Sequence, residues 1–256
     1  MMDIKIIVAT HKSAQQLPDA PIYFPIHVGA ENKPSLGYAG DNTGDNISIK
    51  NPFYCELTGV YWAWKNLDCD VLGLVHYRRY FGVKNKDFFT GILDKEKIEK
   101  ILSKYDMILA KPRNYFIENI KTHFYNHLKV FTKIDYIRFL EQTILQVCPE
   151  YYDDYEKCLN RTKAHMCNMF IMRKKDFDKY CTWLFCILET METNHKKYTS
   201  EEQMPRIYGF IGELLLDVYV GHNHIKYYEQ NVIEIGTQHL WIKAFNFCKR
   251  KFLGVR

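Results

Sequence analysis

The stretch VLGLVHYRRYF, residues 71–81, decides the fold class, because it passes directly from a wholly apolar run to polar and cationic residues. Residues 71–75 have the length and the leucine and valine content of a buried strand. His76, Arg78 and Arg79 follow at once, so polar groups begin where the strand ends. Such an arrangement is typical of an open, largely parallel sheet, in which ligands bind at the carboxyl ends of the strands.

Apolar runs alternate with helical patterns on both sides of this stretch. Further strands are predicted at residues 4–9, 107–110 and 169–172, and helices from Asn51-Pro52 onward, over 122–147 and over 177–191. This alternation predicts an α/β fold with a mostly parallel central sheet flanked by helices. The sequence has no internal repeat and no clear linker. We therefore expect a single domain over residues 1–220, followed by a C-terminal extension over residues 221–256.

The composition is that of an ordinary globular protein: 256 residues, 47% hydrophobic and 25% charged. No apolar stretch reaches the roughly 18 residues of a membrane span, and the first residues lack the features of a secretory signal, so we expect a cytoplasmic protein. The eight cysteines are scattered singly, which favours reduced thiols over disulfides or a zinc site. The net charge of +5 is modest, and we expect no nucleic-acid partner.

The C-terminal residues combine cations with aromatic side chains. On a helix this pattern would place aromatic rings at a membrane interface and cations near anionic headgroups, which predicts peripheral contact with the inner face of the plasma membrane. An amphipathic helix that closes the core explains the same pattern equally well. The residues concerned are Lys243, Lys249, Arg250, Lys251 and Arg256, with Trp241, Phe245, Phe247 and Phe252.

The residues that follow each predicted strand form a cationic, donor-rich set. Thr10 and His11 follow the first strand, residues 76–79 the second, and Lys111 and Arg113 the third. Guanidinium groups bind phosphate oxygens in bidentate fashion and keep their charge, so this edge suits a diphosphate. The alternative is that the arginines are solvated or pair with acids.

Metal-binding carboxylates are less evident. Asp68-Cys69-Asp70 has the letters of an Asp-X-Asp site, but it precedes its strand and so lies at the wrong end. Asp41 and Asp45 remain candidates for a metal or ribose contact, although clusters of Asp, Asn and Gly commonly form turns. We expect no tightly held cofactor, with Arg78 and Arg79 in the place of a metal ion. Recruitment of Mg²⁺ or Mn²⁺ by Asp41 or Asp45 is the alternative.

Five runs resemble a bacterial family long catalogued as a domain of unknown function. The family occurs in capsule and O-antigen gene clusters and includes galactofuranosyl- and related sugar transferases. The resemblance covers residues 3–220 and implies a GT-A-like nucleotide-sugar-binding fold, a nucleotide diphosphate sugar as donor, most simply a UDP-sugar, and a lipid-linked oligosaccharide as acceptor. The runs are PIHVGAENK (25–33), GDNTGDNISIKNPFYCELTGVYWAWKN (40–66), GLVHYRRYF (73–81), NMFIM (168–172) and GFIGE (209–213).

The resemblance also assigns residues. The family's histidine-tyrosine-arginine-arginine motif falls on residues 76–79, its acidic and amide loop on Asp45 and Asn46, and its late glutamate on Glu213. The family commonly has arginine after that glutamate, whereas Leu214 stands here, so Arg206 is the candidate to supply the charge.

Sugar transfer needs positive charge near the departing phosphate and, if the reaction inverts, a base for the acceptor hydroxyl. We assign the base to Glu213, for which the alternative is a glutamate at a helix N-terminus. The expected site has His76 as a second catalytic residue, Arg206 as an acceptor-binding or supporting residue, and a donor-binding set of Thr10, His11, Asp45, Asn46, Tyr77, Arg78, Arg79 and Asn168.

The expected function is transfer of a hexose, such as galactose or galactofuranose, in the synthesis of capsule, exopolysaccharide or O-antigen. A sugar-nucleotide hydrolase or nucleotidyltransferase could use the same cationic strand ends, but it would be expected to need clustered metal-binding carboxylates. A non-catalytic scaffold of a polysaccharide assembly complex would need no polar cluster at the strand ends.

Overall fold

A computed structural model of the chain describes residues 2–13 and 16–235. The strands are β1 (Ile4–Thr10), β2 (Tyr23–His27), β3 (Ala39–Gly40), β4 (Val71–His76), β5 (Arg79–Phe81), β6 (Met107–Ala110), β7 (Arg113–Asn114), β8 (Lys163–Ala164), β9 (Phe170–Arg173), β10 (Tyr227–Gln230) and β11 (Val232–Glu234). The helices are α1 (Asn51–Tyr54), α2 (Leu57–Asn66), α3 (Lys95–Leu102), α4 (Ile120–Leu128), α5 (Tyr136–Val147), α6 (Tyr152–Leu159), α7 (Lys174–Tyr198) and α8 (Ile207–His222).

The central sheet is built around β1 and β4, which pair in parallel with Ile4 opposite Val71 and Val8 opposite Val75. The strand order is β10-β6-β9-β4-β1-β2-β3, and β5 and β11 continue from β4. Helices cover both faces of the strands, so β1 and β4 are buried on both sides and read as continuous apolar runs. The expected α/β fold with a mostly parallel sheet flanked by helices is confirmed.

One strand in the middle of the sheet runs the other way. Strand β9 is antiparallel to both of its neighbours, β4 and β6. The chain leaves β6 at the carboxyl edge, and it returns at that edge because β7 and β8 pair there on either side of the helical excursion α4–α6. A strand that enters from the carboxyl edge must run antiparallel to those that end there.

Two apolar cores lie on opposite faces of the sheet, as the alternation of side chains along a strand requires. In β1, Ile7 and Ala9 point to the larger core, which contains α2 and the helices α4–α8, whereas Ile6 and Val8 point to the smaller one beside α3. Helix α8 is buried along nearly its whole length. A helix that is apolar on all sides is expected to be central, and α8 is positioned by the larger core.

The helix predicted to begin at Asn51-Pro52 is interrupted after one turn. Proline does stand in the first turn of α1. Cys55 then adopts φ 52° and ψ −131°, a conformation that non-glycine residues rarely take, and α2 begins at Leu57. This break exposes Cys55 and Glu56 at the carboxyl edge of the sheet.

The C-terminal boundary predicted at residue 220 divides the sheet. Strand β10 pairs along the whole of β6, and β11 pairs with β5, so residues 227–234 belong to the same domain. These strands satisfy the backbone groups of edges that would otherwise be open. The predicted C-terminal basic and aromatic helix, over residues 241–256, lies outside the described residues. Within the part of the chain that the structure describes, every helix is too short or too polar to span a bilayer.

Asp41 organises the loop that precedes α1. Its side chain is fully buried and accepts hydrogen bonds from the backbone N–H groups of Gly29 (2.8 Å) and Ala30 (3.0 Å), and from the hydroxyl groups of Ser48 and Thr58. Four donors therefore occupy the carboxylate, which holds the loop against α2. The structure assigns Asp41 this packing role rather than a metal or ribose contact.

We expect Asp41→Ala to lower the free energy of unfolding by about 3 kcal/mol, because four buried donors would lose their acceptor. Asp45→Ala is the matched control, since Asp45 is exposed, and it should change stability by about 0.5 kcal/mol or less. Urea denaturation of both variants measures the difference. Equal losses in the two variants would contradict the role given to Asp41.

Candidate functional site

An open cavity of 580 Å³ lies at the carboxyl edge of the sheet, beyond the ends of β1 and β4. The turn between α1 and α2 and the central helix α8 form its other walls. The side chains that line it are both cationic and acidic, which distinguishes this cavity from the apolar core beneath it. Its polar lining consists of His11, Lys33, Asn51, Cys55, Glu56, His76, Tyr77, Arg78, Arg79, Cys167, Arg206, Glu213 and Glu234.

Seven of the residues assigned from the sequence line this cavity together, although they come from distant parts of the chain. They are His11, His76, Tyr77, Arg78, Arg79, Arg206 and Glu213. The clustering follows from the sheet, because the parallel strands β1 and β4 end at the same edge.

Thr10 and Asn168 lie beneath the cavity rather than in its wall. Both are fully buried. The Thr10 hydroxyl donates to the carbonyl oxygen of Val8 at 2.9 Å, so it supports the end of β1. Neither side chain is placed to contact a donor directly.

Asp45 and Asn46 lie away from the cavity. The backbone of Asp45 exchanges hydrogen bonds with the side chain of Asn66, which is the last residue of α2. Glu56, which lines the cavity, lies at the other end of α2, directly before its first residue. A ten-residue helix is about 15 Å long. The loop identified by resemblance as donor-binding is therefore separated from the other site residues by the length of α2.

Glu213 lies inside α8 rather than before a helix, because α8 begins at Ile207. The alternative of a glutamate in the first turn therefore does not apply. Burial and, to a lesser extent, the negative charge of Glu56 raise the pKa of Glu213 to about 8, against the opposing effects of the Cys167 backbone N–H and of Arg79 and Arg206. A carboxyl group in this state carries a proton at neutral pH and can exchange it near pH 8.

Glu56 is a second carboxylate in the cavity, and the sequence analysis missed it. The Asn168 side-chain amide donates to its Oε1 at 2.8 Å and to the carbonyl oxygen of Gly209 in α8 at 3.0 Å. Both sequence runs that supply this pair, NPFYCE and NMFIM, were noted for their resemblance. Glu56 directly follows Cys55, where the helix breaks in the structure. That break would have identified Glu56, but the residue pattern does not predict it.

The backbone around Cys167 connects these groups. Cys167 and Asn168 both have positive φ, 71° and 51°, a costly conformation for two consecutive non-glycine residues. The Cys167 carbonyl oxygen lies 2.7 Å from Nε2 of His76, and since a carbonyl only accepts, Nε2 carries the proton. Through Nε2, His76 therefore fixes the backbone whose N–H reaches Glu213.

The arginines of the cavity differ in their partners. Arg79 forms an ion pair with Glu234 at 3.3 Å, as the alternative reading of the sequence allowed. Arg78 is exposed, and among residues 2–13 and 16–235 its guanidinium has one hydrogen-bond partner, the carbonyl oxygen of Ile235 at 3.5 Å. Arg206 caps α8 with a positive φ of 66° and donates its backbone N–H to the carbonyl oxygen of Pro52. Arg78 is thus the arginine most available to a ligand.

His11 reports the electrostatics at the cavity mouth. Partial burial lowers its pKa, and the nearby charges of Lys12 and Lys33 lower it further. Its ring packs edge-on against Tyr77, with centroids 5.3 Å apart. A neutral imidazole beside two ammonium groups indicates a positive potential at this side of the cavity.

The Asp-X-Asp residues 68–70 lie at the opposite edge of the sheet, where the carboxylate of Asp70 accepts a hydrogen bond from the backbone N–H of Asp3 at 2.8 Å. Among residues 2–13 and 16–235, no three His, Cys, Asp or Glu side chains are grouped as metal ligands. The carboxylates that face the cavity are Glu56, Glu213 and Glu234.

A family model described as Domain of unknown function (DUF4422) matches residues 5–224. The chain belongs to this family. No curated protein matches it. A solved structure described as the WbbM bifunctional glycosyltransferase in its apo form is similar, with 28% sequence identity and a TM-score of 0.77. The match covers 92% of this chain and 46% of that one, so the chain spans about half the length of its structural relative.

We expect the pKa of Glu213 to govern how stability depends on pH. An unfolded glutamate titrates near pH 4.3, whereas folded Glu213 titrates at about 8, so the fold disfavours its ionised form. Relative to Glu213→Gln, wild type should therefore lose stability as pH rises from about 5 to about 8, by about 2 kcal/mol. The loss is smaller than the full shift implies because the cavity admits water. Urea denaturation across this range tests it, and parallel profiles would contradict it.

Proposed function

We propose that the chain is a glycosyltransferase that moves a hexose from a nucleotide diphosphate sugar onto a lipid-linked oligosaccharide in surface polysaccharide synthesis. The observation that carries the proposal is one cavity that combines a carboxyl group of raised pKa, Glu213, with the guanidinium groups of Arg78, Arg79 and Arg206. Structural similarity to a bifunctional glycosyltransferase supports the reaction class.

The cations are suited to the donor. When the bond between the anomeric carbon and the phosphate oxygen breaks, its electron pair goes to the diphosphate, and negative charge develops there. Fixed guanidinium groups stabilise that charge without having to reorganise. Arg78 is exposed and, within the described part of the chain, forms one long hydrogen bond, and we assign it, with Arg79, to the diphosphate.

The carboxylate is suited to the acceptor. In an inverting transfer the acceptor hydroxyl oxygen bonds to the anomeric carbon as the diphosphate leaves, and the hydroxyl proton passes to a base. A carboxylate with a pKa of about 8 is a stronger base than an ordinary glutamate, so Glu213 is matched to this task. Only its ionised form accepts a proton, and the rate should therefore rise with pH until the group is fully ionised.

His76, Asn168 and Glu56 act behind these groups in the proposal. His76 and Asn168 hold the backbone at Cys167 and the neighbouring carboxylate, and Glu56 raises the pKa of Glu213 through its charge. The resemblance favours a UDP-sugar, with galactose or galactofuranose as the hexose, and action at the cytoplasmic face of the plasma membrane. We propose that turnover needs no tightly held metal ion, because guanidinium groups occupy the place where a metal would stabilise the leaving group.

The test is turnover with a panel of nucleotide sugars, measured as release of nucleoside diphosphate. We expect Glu213→Gln to lower kcat by about a hundredfold to ten-thousandfold while donor affinity changes little, since general bases contribute that much. In wild type, kcat/KM should rise with pH to a plateau above about pH 8, and this limb should be absent from the residual rate of the variant.

The outcomes separate the rival functions. Diphosphate release that needs no sugar acceptor and yields free sugar would indicate a hydrolase, and no release with any donor would indicate a scaffold.

Assays in excess EDTA, repeated with Mg²⁺ or Mn²⁺, test the arginines: activity abolished by the chelator and restored by metal would contradict their assignment. Arg78→Ala should weaken donor binding at least about tenfold, because a charged hydrogen bond to phosphate is lost. Arg138→Ala, on the exposed face of α5, is the matched control and should leave donor binding unchanged.

A further inference from the structure

Four large apolar side chains at the two ends of α4 are exposed to solvent. Phe116 and Ile117, just before the helix, are 79% and 76% exposed, and Val130 and Phe131, just after it, are 67% and 65% exposed. These four residues are called the α4 ridge below. Single exposed apolar residues are ordinary, but four at this level on one short segment mark an interaction surface.

Ring contacts connect the α4 ridge to the candidate active site. The ring of Phe131 lies 5.6 Å from that of His127, which lies 5.2 Å from that of Phe210. The guanidinium of Arg206, in the cavity wall, stacks over Phe210 at 5.2 Å. One end of the ridge is therefore connected by packed side chains to a wall of the cavity.

The other end of the ridge is held in the same way. Tyr115 precedes Phe116, is buried, and packs against His123, one turn before His127, with ring centroids 3.9 Å apart. The exposure of Phe116 and Ile117 is thus fixed by a buried neighbour.

The charge of the same segment is strongly one-sided. Residues 111–133 contain five cations, each exposed, and a single acid, Glu118, whose Oε2 lies 3.3 Å from Nδ1 of His123. Exposed apolar residues among exposed cations fit an anionic, partly apolar partner. The cations are Lys111, Arg113, Lys121, Lys129 and Lys133.

We propose that the α4 ridge docks on a bilayer of anionic lipids, with its apolar side chains in the interfacial region and the surrounding cations at the headgroups. Lysine is depleted at protein–protein interfaces, whereas basic residues beside a surface that inserts aromatic side chains are attracted to anionic lipid. The charge pattern therefore favours a membrane over a protein partner. Docked in this way, the cavity opens at the lipid surface, where a lipid-linked acceptor would lie.

The docking surface is distinct from the C-terminal residues considered in the sequence analysis. It is also independent of sugar transfer, because vesicle binding is measured with neither donor nor acceptor present. Failure of the docking proposal would therefore leave the proposed function intact, and the converse also holds.

The test is binding of the full chain to sedimented vesicles made of equal parts phosphatidylcholine and phosphatidylglycerol, compared with phosphatidylcholine alone. We expect replacement of Phe116 and Ile117 by Ser to weaken binding to the mixed vesicles at least about tenfold, since two large apolar groups leave the interface. Lys121→Gln with Lys129→Gln should weaken it about fivefold per charge, and only on the anionic vesicles. Leu145→Ser, at an exposed apolar position on α5, is the matched control and should bind as wild type does.

A second readout reports contact with lipid directly and does not depend on loss of binding. Phe116→Trp should be quenched by brominated lipids in the mixed vesicles, whereas Leu145→Trp should not. Binding that is unchanged in the ridge variants, or equal quenching at the two positions, would overturn the proposal. Binding that is lost equally with the Leu145→Ser control would also overturn it.

Discussion

The side-chain amide of Asn168 holds together the two parts of the chain that carry the cavity carboxylates Glu56 and Glu213. It donates to Glu56 at the start of α2 and to the carbonyl oxygen of Gly209 in α8, and it does so from full burial. The approach is close: a Cβ at Gly212 would lie 3.0 Å from Asn168 Oδ1 and 2.9 Å from a methyl group of Leu57. Glycine at 212 therefore lets α8 pack near enough to bring Glu213 into the cavity.

The chemistry of the cavity follows from that packing. Two carboxylates that share a partly buried site repel each other, and the one that loses more water, Glu213, holds its proton to about pH 8. Arg79, after β4, and Arg206, at the cap of α8, lower the pKa of Glu213 only in part. Arg79 has a limited effect because it also pairs with Glu234. In the proposed function, the same charges provide both the base and the positive surface for a diphosphate.

The sequence was informative where the determinants are local. The apolar runs at 4–9, 71–75, 107–110 and 169–172 are strands in the structure, each within one residue of the predicted ends, because burial on both faces leaves a continuous apolar signature. The clustering of His11 with residues 76–79 followed from the rule that parallel strands end at one edge.

Long-range contacts decided what the sequence could not show. The direction of β9 depends on the pairing of β7 with β8, and the entry of Glu56 into the cavity depends on a backbone break at Cys55. Asp45 and Asn46 were assigned to the donor by resemblance, and the contact of Asp45 with Asn66 holds that loop at the far end of α2. The alternative of Glu213 at a helix N-terminus arose because the apolar pattern of α8 extends around all its faces and hides the start of the helix.

Binding of a nucleotide diphosphate sugar at the carboxyl edge of β1 and β4, as proposed, is tested most directly by a structure of the chain with a bound nucleoside diphosphate. We expect phosphate oxygens within hydrogen-bonding distance of the guanidinium groups of Arg78 and Arg79, with the terminal phosphate facing Glu213. A diphosphate bound elsewhere, for example in the groove between α2 and α7 lined by Tyr61 and Glu189, with the arginine cavity empty at saturation, would contradict the account.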